Sequence, residues 1–206
     1  MHIAVAGNIG AGKTTLASKL AHHYHWDALF EAVDNNPYLS DFYTDMARWS
    51  FHLQIFFLNS RIKQVQHIRD SQRTVIQDRT IYEDSYIFAK NLHDSGFMSP
   101  RDYENYLGIF NTMSSFIQPP DLLIYLRADL PKLVGQIQKR GRDYENNIRL
   151  DYLKNLNQHY EDWIGHYKES KLLIIDVNNL DYAANDADLE FIIDKVDAEL
   201  FGLFKQ

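Results

Sequence analysis

An α/β fold, a parallel sheet of five strands covered by helices on both faces, is what this sequence predicts, and three observations carry the prediction. Short continuous apolar runs, such as HIAVA at 2–6 and LLIYL at 122–126, alternate with longer stretches whose apolar residues recur at helical spacing. A strand covered on both faces reads as an unbroken apolar run because neither side meets water. The first run passes through a glycine-rich turn into a helix, which opens a strand, loop, helix unit. Size is the third observation. The 206 residues, 45% apolar and 14% aromatic, suffice for one packed core and are few for two. No repeat, low-complexity tract or linker divides them, so residues 1–206 are expected to form one domain.

The elements follow in order. After the strand at 2–6, Lys13 to Tyr24 reads as a helix with Leu16 and Leu20 on one face. Leu29 and Phe30 lie in a second short strand ending at Glu31, and NNPY at 35–38 marks a loop. Residues 49–69 are apolar over much of the helical circumference to about Leu58 and amphipathic beyond, as for a helix covered on two sides. A third strand is expected at 74–77, helices at 81–93 and 101–117, and a fourth strand in PPDLLIYLRA. A helix ending in QKRGR, a helix over 150–169, a fifth strand in KLLIIDV and a closing helix over 186–204 complete the chain. In the last of these, Leu189, Ile192, Ile193 and Val196 fall in register.

Composition excludes several classes of function. A net charge of −7 offers no basic surface to displace counterions from a nucleic-acid backbone. With no cysteine there are no disulfides, thiolate zinc sites or thiol nucleophiles. No apolar stretch approaches the length of a membrane span. The chain opens directly on a strand-like run, with neither a signal-peptide pattern nor an Arg-rich presequence, and a cytoplasmic location is the expectation. HHYH at 22–25 has no acidic or cysteine partner nearby and reads as a polar helix end.

GNIGAGKT, comprising Gly7, Asn8, Ile9, Gly10, Ala11, Gly12, Lys13 and Thr14, satisfies G-x-x-x-x-G-K-[ST] between a predicted strand and a predicted helix. Its glycines let successive backbone N–H groups turn inward around phosphates, Lys13 neutralises charge, and Thr14 can ligate Mg²⁺, with Thr15 following. A glycine-rich turn without ligand is the alternative. With this motif the predicted class becomes the P-loop nucleoside triphosphate hydrolase fold. No N-K-x-D signature and no D-x-x-G switch is present, which disfavours a GTPase, and TVIQDR lacks the acidic pair that would mark a regulated ATPase.

Glu31 ends the second predicted strand and Asp78 the third, and the carboxyl ends of strands are where ligands bind in an open parallel sheet. A phosphoryl acceptor hydroxyl needs a base, and Mg²⁺ needs an acidic ligand. Arg79 would stand beside the site as a positive group for the transferring phosphoryl. The plainer alternative has Glu31 capping a turn and Asp78 paired with Arg79.

At this point the chain resembles the deoxynucleoside kinase family, and most of all its bacterial deoxyadenosine kinases. The likeness covers nearly the whole chain and rests on GNIGAGKTT, FEAV, FYTDMARWSFHLQ, DRTIYED, KRGR and DVNNLDYAAND. The resemblance implies that Glu31 takes the proton from the deoxyribose 5′-hydroxyl, that Arg79 orients that hydroxyl, and that Asp78 assists Mg²⁺ together with Thr14. It implies that Tyr43 meets the sugar 3′-hydroxyl and Gln54 pairs with the base edge, while the acid of the family's sugar contact has no secure match. Two departures stand out. Glu31-Ala32-Val33 replaces the commoner Glu-Pro-Val, and Asp-Arg-Thr replaces Glu-Arg-Ser.

Gln54 and Arg61, seven apart on one helix and so roughly 10 Å apart along its axis, could line one base pocket with Asp84. A carboxylate there would repel the thymine carbonyl, so deoxyadenosine ranks first, deoxyguanosine or deoxycytidine next, and thymidine last. Lys139, Arg140 and Arg142 around Gly141 can form a basic lid, about residues 139–146, over ATP phosphates; helix capping by cations is the alternative. The resemblance places an adenine-contacting loop after the fifth strand, with Asp181 and Tyr182 as candidates, and implies a homodimer through helices 49–69 and 81–93. The expected reaction is ATP- and Mg²⁺-dependent phosphorylation of a deoxynucleoside. A nucleoside monophosphate kinase of the same fold and a catalytically silent structural member are the alternatives, the latter disfavoured because Lys13, Glu31 and Arg79 are all present.

Overall fold

The computed structural model describes residues 1–31 and 36–202. Five parallel strands, β1 His2–Gly7, β2 Asp27–Leu29, β3 Val75–Asp78, β4 Leu122–Arg127 and β5 Lys171–Asp176, lie in the order β2-β3-β1-β4-β5. The predicted parallel sheet is therefore present, with β1 at its centre.

Alternation along β1 shows why the run is apolar throughout. Ile3 and Val5 pack with Leu16 and Leu20 of α1 (Lys13–Tyr24), with Leu133 of α7 (Leu130–Arg140), and with Ile192 and Val196 of α9 (Asp186–Phe201). Ala4 and Ala6 face the other layer, where Leu53 and Phe57 of α3 (Met46–Asp70), Tyr106 and Phe110 of α6 (Pro100–Ser114) and Leu156 and Tyr160 of α8 (Leu150–His166) pack. Successive strand residues point to opposite faces, so two helical layers demand apolar residues at every position.

Several boundaries differ from expectation. The β2 ladder stops at Leu29, which leaves Phe30 and Glu31 beyond the strand. Ala32-Val33, which follow the predicted second strand, and the start of the predicted 35–38 loop lie outside the described residues. A short helix α2, Leu39–Thr44, precedes α3 and was not predicted, because six residues are too few to show a helical period. The helix expected at 81–93 runs from α4 (Ile81–Glu83) through a π-helical segment Asp84–Ala89 into α5 (Lys90–Asp94). One residue of extra winding leaves the apolar pattern almost unchanged, so periodicity does not reveal it.

Candidate active site

The P-loop turn is held open by Gly7, Gly10 and Gly12 at φ of 150°, 86° and 94°. At Gly12 only glycine fits: an added Cβ would lie 2.1 Å from the Tyr182 hydroxyl. Side-chain hydrogen bonds tie the loop to its surroundings. The Asn8 amide donates to the Leu153 carbonyl at 3.0 Å and to Asn157 Oδ1 at 2.7 Å, the Tyr182 hydroxyl donates to the Ala11 carbonyl at 3.1 Å, and Glu83 Oε1 accepts from the Gly7 N–H at 3.3 Å. Lys13 Nζ donates to the Asn8 carbonyl at 3.0 Å. Burial, and then Arg79, push the Lys13 ammonium down to about 8.

Glu83, which the sequence left without a role, is fully buried and takes part in a capping box with Thr80. Its carboxyl accepts from the Thr80 N–H at 2.8 Å and the Tyr160 hydroxyl at 2.9 Å. It therefore joins the start of α4 to the P-loop. Burial pushes its carboxyl above the usual range even so.

Asp78 ends β3 with its Oδ2 accepting from the Thr14 hydroxyl at 2.5 Å, while its Oδ1 is buried with no hydrogen-bond partner among the described residues. The alternative in which Asp78 pairs with Arg79 is not what the structure shows. Arg79 instead adopts the left-handed backbone at φ 68°, donates its N–H to the Val5 carbonyl, and swings its guanidinium over the Phe88 ring at 4.2 Å. A non-glycine residue in that region costs on the order of 1–3 kcal/mol, and such outliers cluster at functional sites. Here the turn separates Asp78, aimed at the P-loop, from Arg79, aimed at Glu31.

Arg79 Nη1 donates to Glu31 Oε1 at 2.7 Å and Arg61 Nη2 to the same oxygen at 3.1 Å. Burial alone would raise the Glu31 pKa, but Arg79, Arg61 and Lys13 outweigh it and hold the carboxyl below the usual range. Glu31 is thus an ionised carboxylate, 16% exposed at its side chain, flanked by cations. Arg61 also donates from Nε to Asp84 at 3.1 Å. Burial raises the Asp84 pKa to about 6 against the opposing pull of Arg61 and Arg79.

A cavity of about 300 Å³ joins these groups. Gly10, Lys13, Thr14 and Asp78 line its phosphate end, Glu31, Tyr43, Gln54, Arg79 and Asp84 its opposite end, and Arg140, Arg142, Tyr144 and Glu145 its roof. Gln54 Oε1 and Arg79 Nε are buried without partners among the described residues. Polar atoms so placed cost free energy unless a ligand satisfies them. Asp78 Oδ1 and the Thr14 hydroxyl offer the hard oxygen donors that suit Mg²⁺, which takes one or two protein ligands and leaves the rest to phosphate and water.

Outside the glycine-rich motif, four predicted site residues, Arg61, Tyr182, Asp181 and Thr15, lie away from the cavity lining. Arg61 does not line the cavity; with 1% of its side chain exposed it sits behind Glu31 and Asp84 and ties them together. Spacing placed it correctly on the helix but could not show that both carboxylates consume its donors. Tyr182 is buried under the P-loop rather than presented to a nucleobase, and Asp181 is exposed with its N–H donating to Asp188 Oδ2 at 2.6 Å. Thr15 is exposed and outside the cavity lining.

Sequence reasoning missed Glu145. It lies on a 3₁₀ turn, Asp143–Asn147, just past the predicted basic stretch, is 5% exposed, and is clamped by Arg140 and Arg142. Tyr144 on the same turn stacks on Tyr43 of α2, with centroids 5.8 Å apart and planes at 12°. The spacing Arg140, Arg142, Glu145 was the available signal, since a single turn brings such residues to one side.

A glycine-rich phosphate cradle and an ionised carboxylate lining one cavity define a P-loop phosphotransferase. The family model Deoxynucleoside kinase matches residues 3–201. The chain is 39% identical over 196 residues to the deoxyadenosine/deoxycytidine kinase of Bacillus subtilis, covering 94% of this chain and 90% of that one. It is 46% identical over 163 residues to the deoxyadenosine kinase of Dictyostelium discoideum, covering 79% and 66%. The solved structure of deoxyadenosine kinase from M. mycoides with products dCMP and a flexible dCDP superposes at a TM-score of 0.86, with 30% identity, over 96% of this chain and all of that one. The same enzyme with bound dATP superposes at 0.84. This chain belongs to the deoxynucleoside kinase family.

Proposed function

We propose that the protein transfers the γ-phosphoryl group of ATP to the 5′-hydroxyl of a deoxynucleoside, deoxyadenosine before deoxyguanosine or deoxycytidine and thymidine last. The observation that carries this reading is the position of Glu31, an ionised carboxylate held by Arg79 and Arg61 across the cavity from Lys13 and Thr14. Glu31 takes the proton of the 5′-hydroxyl, and Arg79 steadies that hydroxyl and the charge that develops on the phosphoryl oxygens. The P-loop N–H groups and Lys13 hold the β- and γ-phosphates, with Arg140 and Arg142 closing over them. Thr14 and Asp78 would hold Mg²⁺, which would neutralise phosphate charge. Tyr43, with Glu145 beside it, meets the sugar, and Gln54, whose Oε1 has no partner among the described residues, meets the base edge.

The base ranking rests on Gln54 and Asp84 at the end of the cavity opposite the P-loop. Gln54 can both accept from and donate to the N6/N7 edge of adenine, and an Asp84 carboxylate opposes the thymine carbonyl. A monophosphate acceptor is disfavoured because its anion would meet the Glu31 carboxylate. The further expectations of one domain, a cytoplasmic location and a homodimer through residues 49–69 and 81–93 belong to the same reading. Among the described residues no helix is long and apolar enough to cross a membrane.

The test is phosphorylation of the four deoxynucleosides by Mg²⁺-ATP, with Glu31→Gln alongside. The parent should phosphorylate deoxyadenosine fastest, and Glu31→Gln should lower kcat about 10²- to 10⁴-fold, with deoxynucleoside affinity kept within a few-fold. A variant that still turns over at the parental rate removes Glu31 as the base, and a parent fastest on thymidine overturns the ranking.

A further inference from the structure

Behind the acceptor end of the cavity runs a chain of side-chain amides that the reaction described above does not use. Gln64 lies on α3 one turn beyond Arg61. Its amide oxygen accepts from Arg61 Nη1 at 3.1 Å and from Gln77 Nε2 at 2.8 Å, and its amide nitrogen donates to the Phe30 carbonyl at 2.6 Å. Gln77, buried in β3, has its own oxygen 3.0 Å from His2 Nε2.

The direction of every bond in this chain is fixed. Gln64 must present its oxygen to Arg61, which has only donors, and its nitrogen to the Phe30 carbonyl, which only accepts. Gln77 must then spend its nitrogen on Gln64 and turn its oxygen to His2, so the His2 ring donates from Nε2. Burial lowers the His2 pKa to about 4 and keeps the ring neutral, in keeping with that role.

The two ends of Gln64 converge on one residue. Phe30 directly precedes Glu31, in a stretch that the β2 ladder no longer holds, and Arg61 grips the Glu31 carboxylate itself. A single amide thus fixes the backbone before Glu31 and the guanidinium that holds its side chain. We propose that Gln64 is a positioning residue for phosphoryl transfer, setting the place of Glu31 through Arg61 and the Phe30 carbonyl, with Gln77 and His2 setting the orientation of Gln64. The proposal rests on the reading of Glu31 as the base.

Gln64→Leu keeps most of the volume and removes both polar ends. It should lower kcat about five- to tenfold while KM for ATP stays within twofold of the parent, because a misplaced base slows the chemical step without disturbing the phosphate cradle. Gln66→Leu, the same change at an exposed position two residues on, should leave kcat alone. Adding Gln77→Leu to Gln64→Leu should cost no more than Gln64→Leu by itself, since the two act in series. Gln64→Glu retains the acceptor for Arg61 and loses the donor to Phe30, and should also lower kcat; it carries the test if Gln64→Leu does not fold.

Parental kcat in both Gln64 variants overturns the proposal, as does a fall in kcat matched by Gln66→Leu or by an equal loss of ATP affinity. Glu31→Gln separates the two readings. If it is inactive and the Gln64 variants are unaffected, only the positioning role fails; if it turns over like the parent, the base assignment fails as well.

Discussion

The two ends of the cavity are held by different kinds of force. The phosphate end is a backbone device: eight consecutive residues bend around three glycines, and neighbouring side chains from β3, α8 and the loop after β5 clamp the bend. The acceptor end is a charge device, in which Arg61 and Arg79 hold Glu31, and Arg61 also holds Asp84, in a setting where no partner is close in sequence. Backbone cradles tolerate the loss of one clamp, because neighbouring N–H groups keep their direction. A buried ion network does not, since removing one member leaves its partners charged and unpaired.

The largest effect should therefore come from Arg61. Arg61→Met keeps the aliphatic stem and takes the cation from between Glu31, which keeps Arg79, and the buried Asp84, whose ion pair with Arg61 is broken. Breaking a buried pair costs about 3–5 kcal/mol, and for a chain of this length that lowers Tm by on the order of 10 °C. Thermal unfolding checks the first figure and steady-state kinetics the second consequence, a fall in kcat with Glu31 unsteadied. A Tm within about 2 °C of the parent would show that the acceptor end does not depend on its charges, and the contrast between the two ends would be lost.

The same contrast explains what could be read in the sequence. The phosphate end was legible because its chemistry is contiguous, and strand ends pointed to Glu31 and Asp78 because a parallel sheet collects its sites there. The alternation of apolar runs and helical periods likewise gave all five strands, with β2 the least accurate because its ladder is only three residues long. Arg61 was seen on the right helix yet assigned to the substrate, because whether a guanidinium faces a cavity or a carboxylate depends on rotamers set by distant residues. Glu83 escaped for a similar reason: its partners Gly7 and Tyr160 are brought to it only by the folded sheet. Glu145 and the stacked Tyr43–Tyr144 pair depend on a turn too short to carry a period.

A second prediction concerns pH and separates the ends without mutation. Lys13 has a depressed pKa of about 8, so it is charged below that value and neutral above it. Because kcat/KM reports the free enzyme, kcat/KM for ATP should fall roughly tenfold per pH unit above about pH 8. Bound phosphate favours the charged ammonium, so the same limb in kcat should lie at higher pH. Glu31, held below the usual carboxylate range, should contribute no limb near neutrality. The pH–rate profile at saturating deoxynucleoside checks the assignment; an ATP limb that stays flat to pH 10 would remove Lys13 from the phosphate end.

The smallest effect should come from Tyr182→Phe, and its size matters because it measures how far the backbone cradle depends on any one clamp. The ring fills the space beneath Gly12 and stays in the variant, while the hydroxyl that donates to the Ala11 carbonyl is lost. A single neutral hydrogen bond is worth about 1 kcal/mol, which corresponds to a KM for ATP raised about fivefold with kcat and the deoxynucleoside KM unchanged. Asn8 and Glu83 remain to hold the loop, so the loss should not propagate. A change of a hundredfold or more in ATP KM would mean that the phosphate end is as brittle as the ion network opposite it, and that the two ends differ in chemistry but not in tolerance.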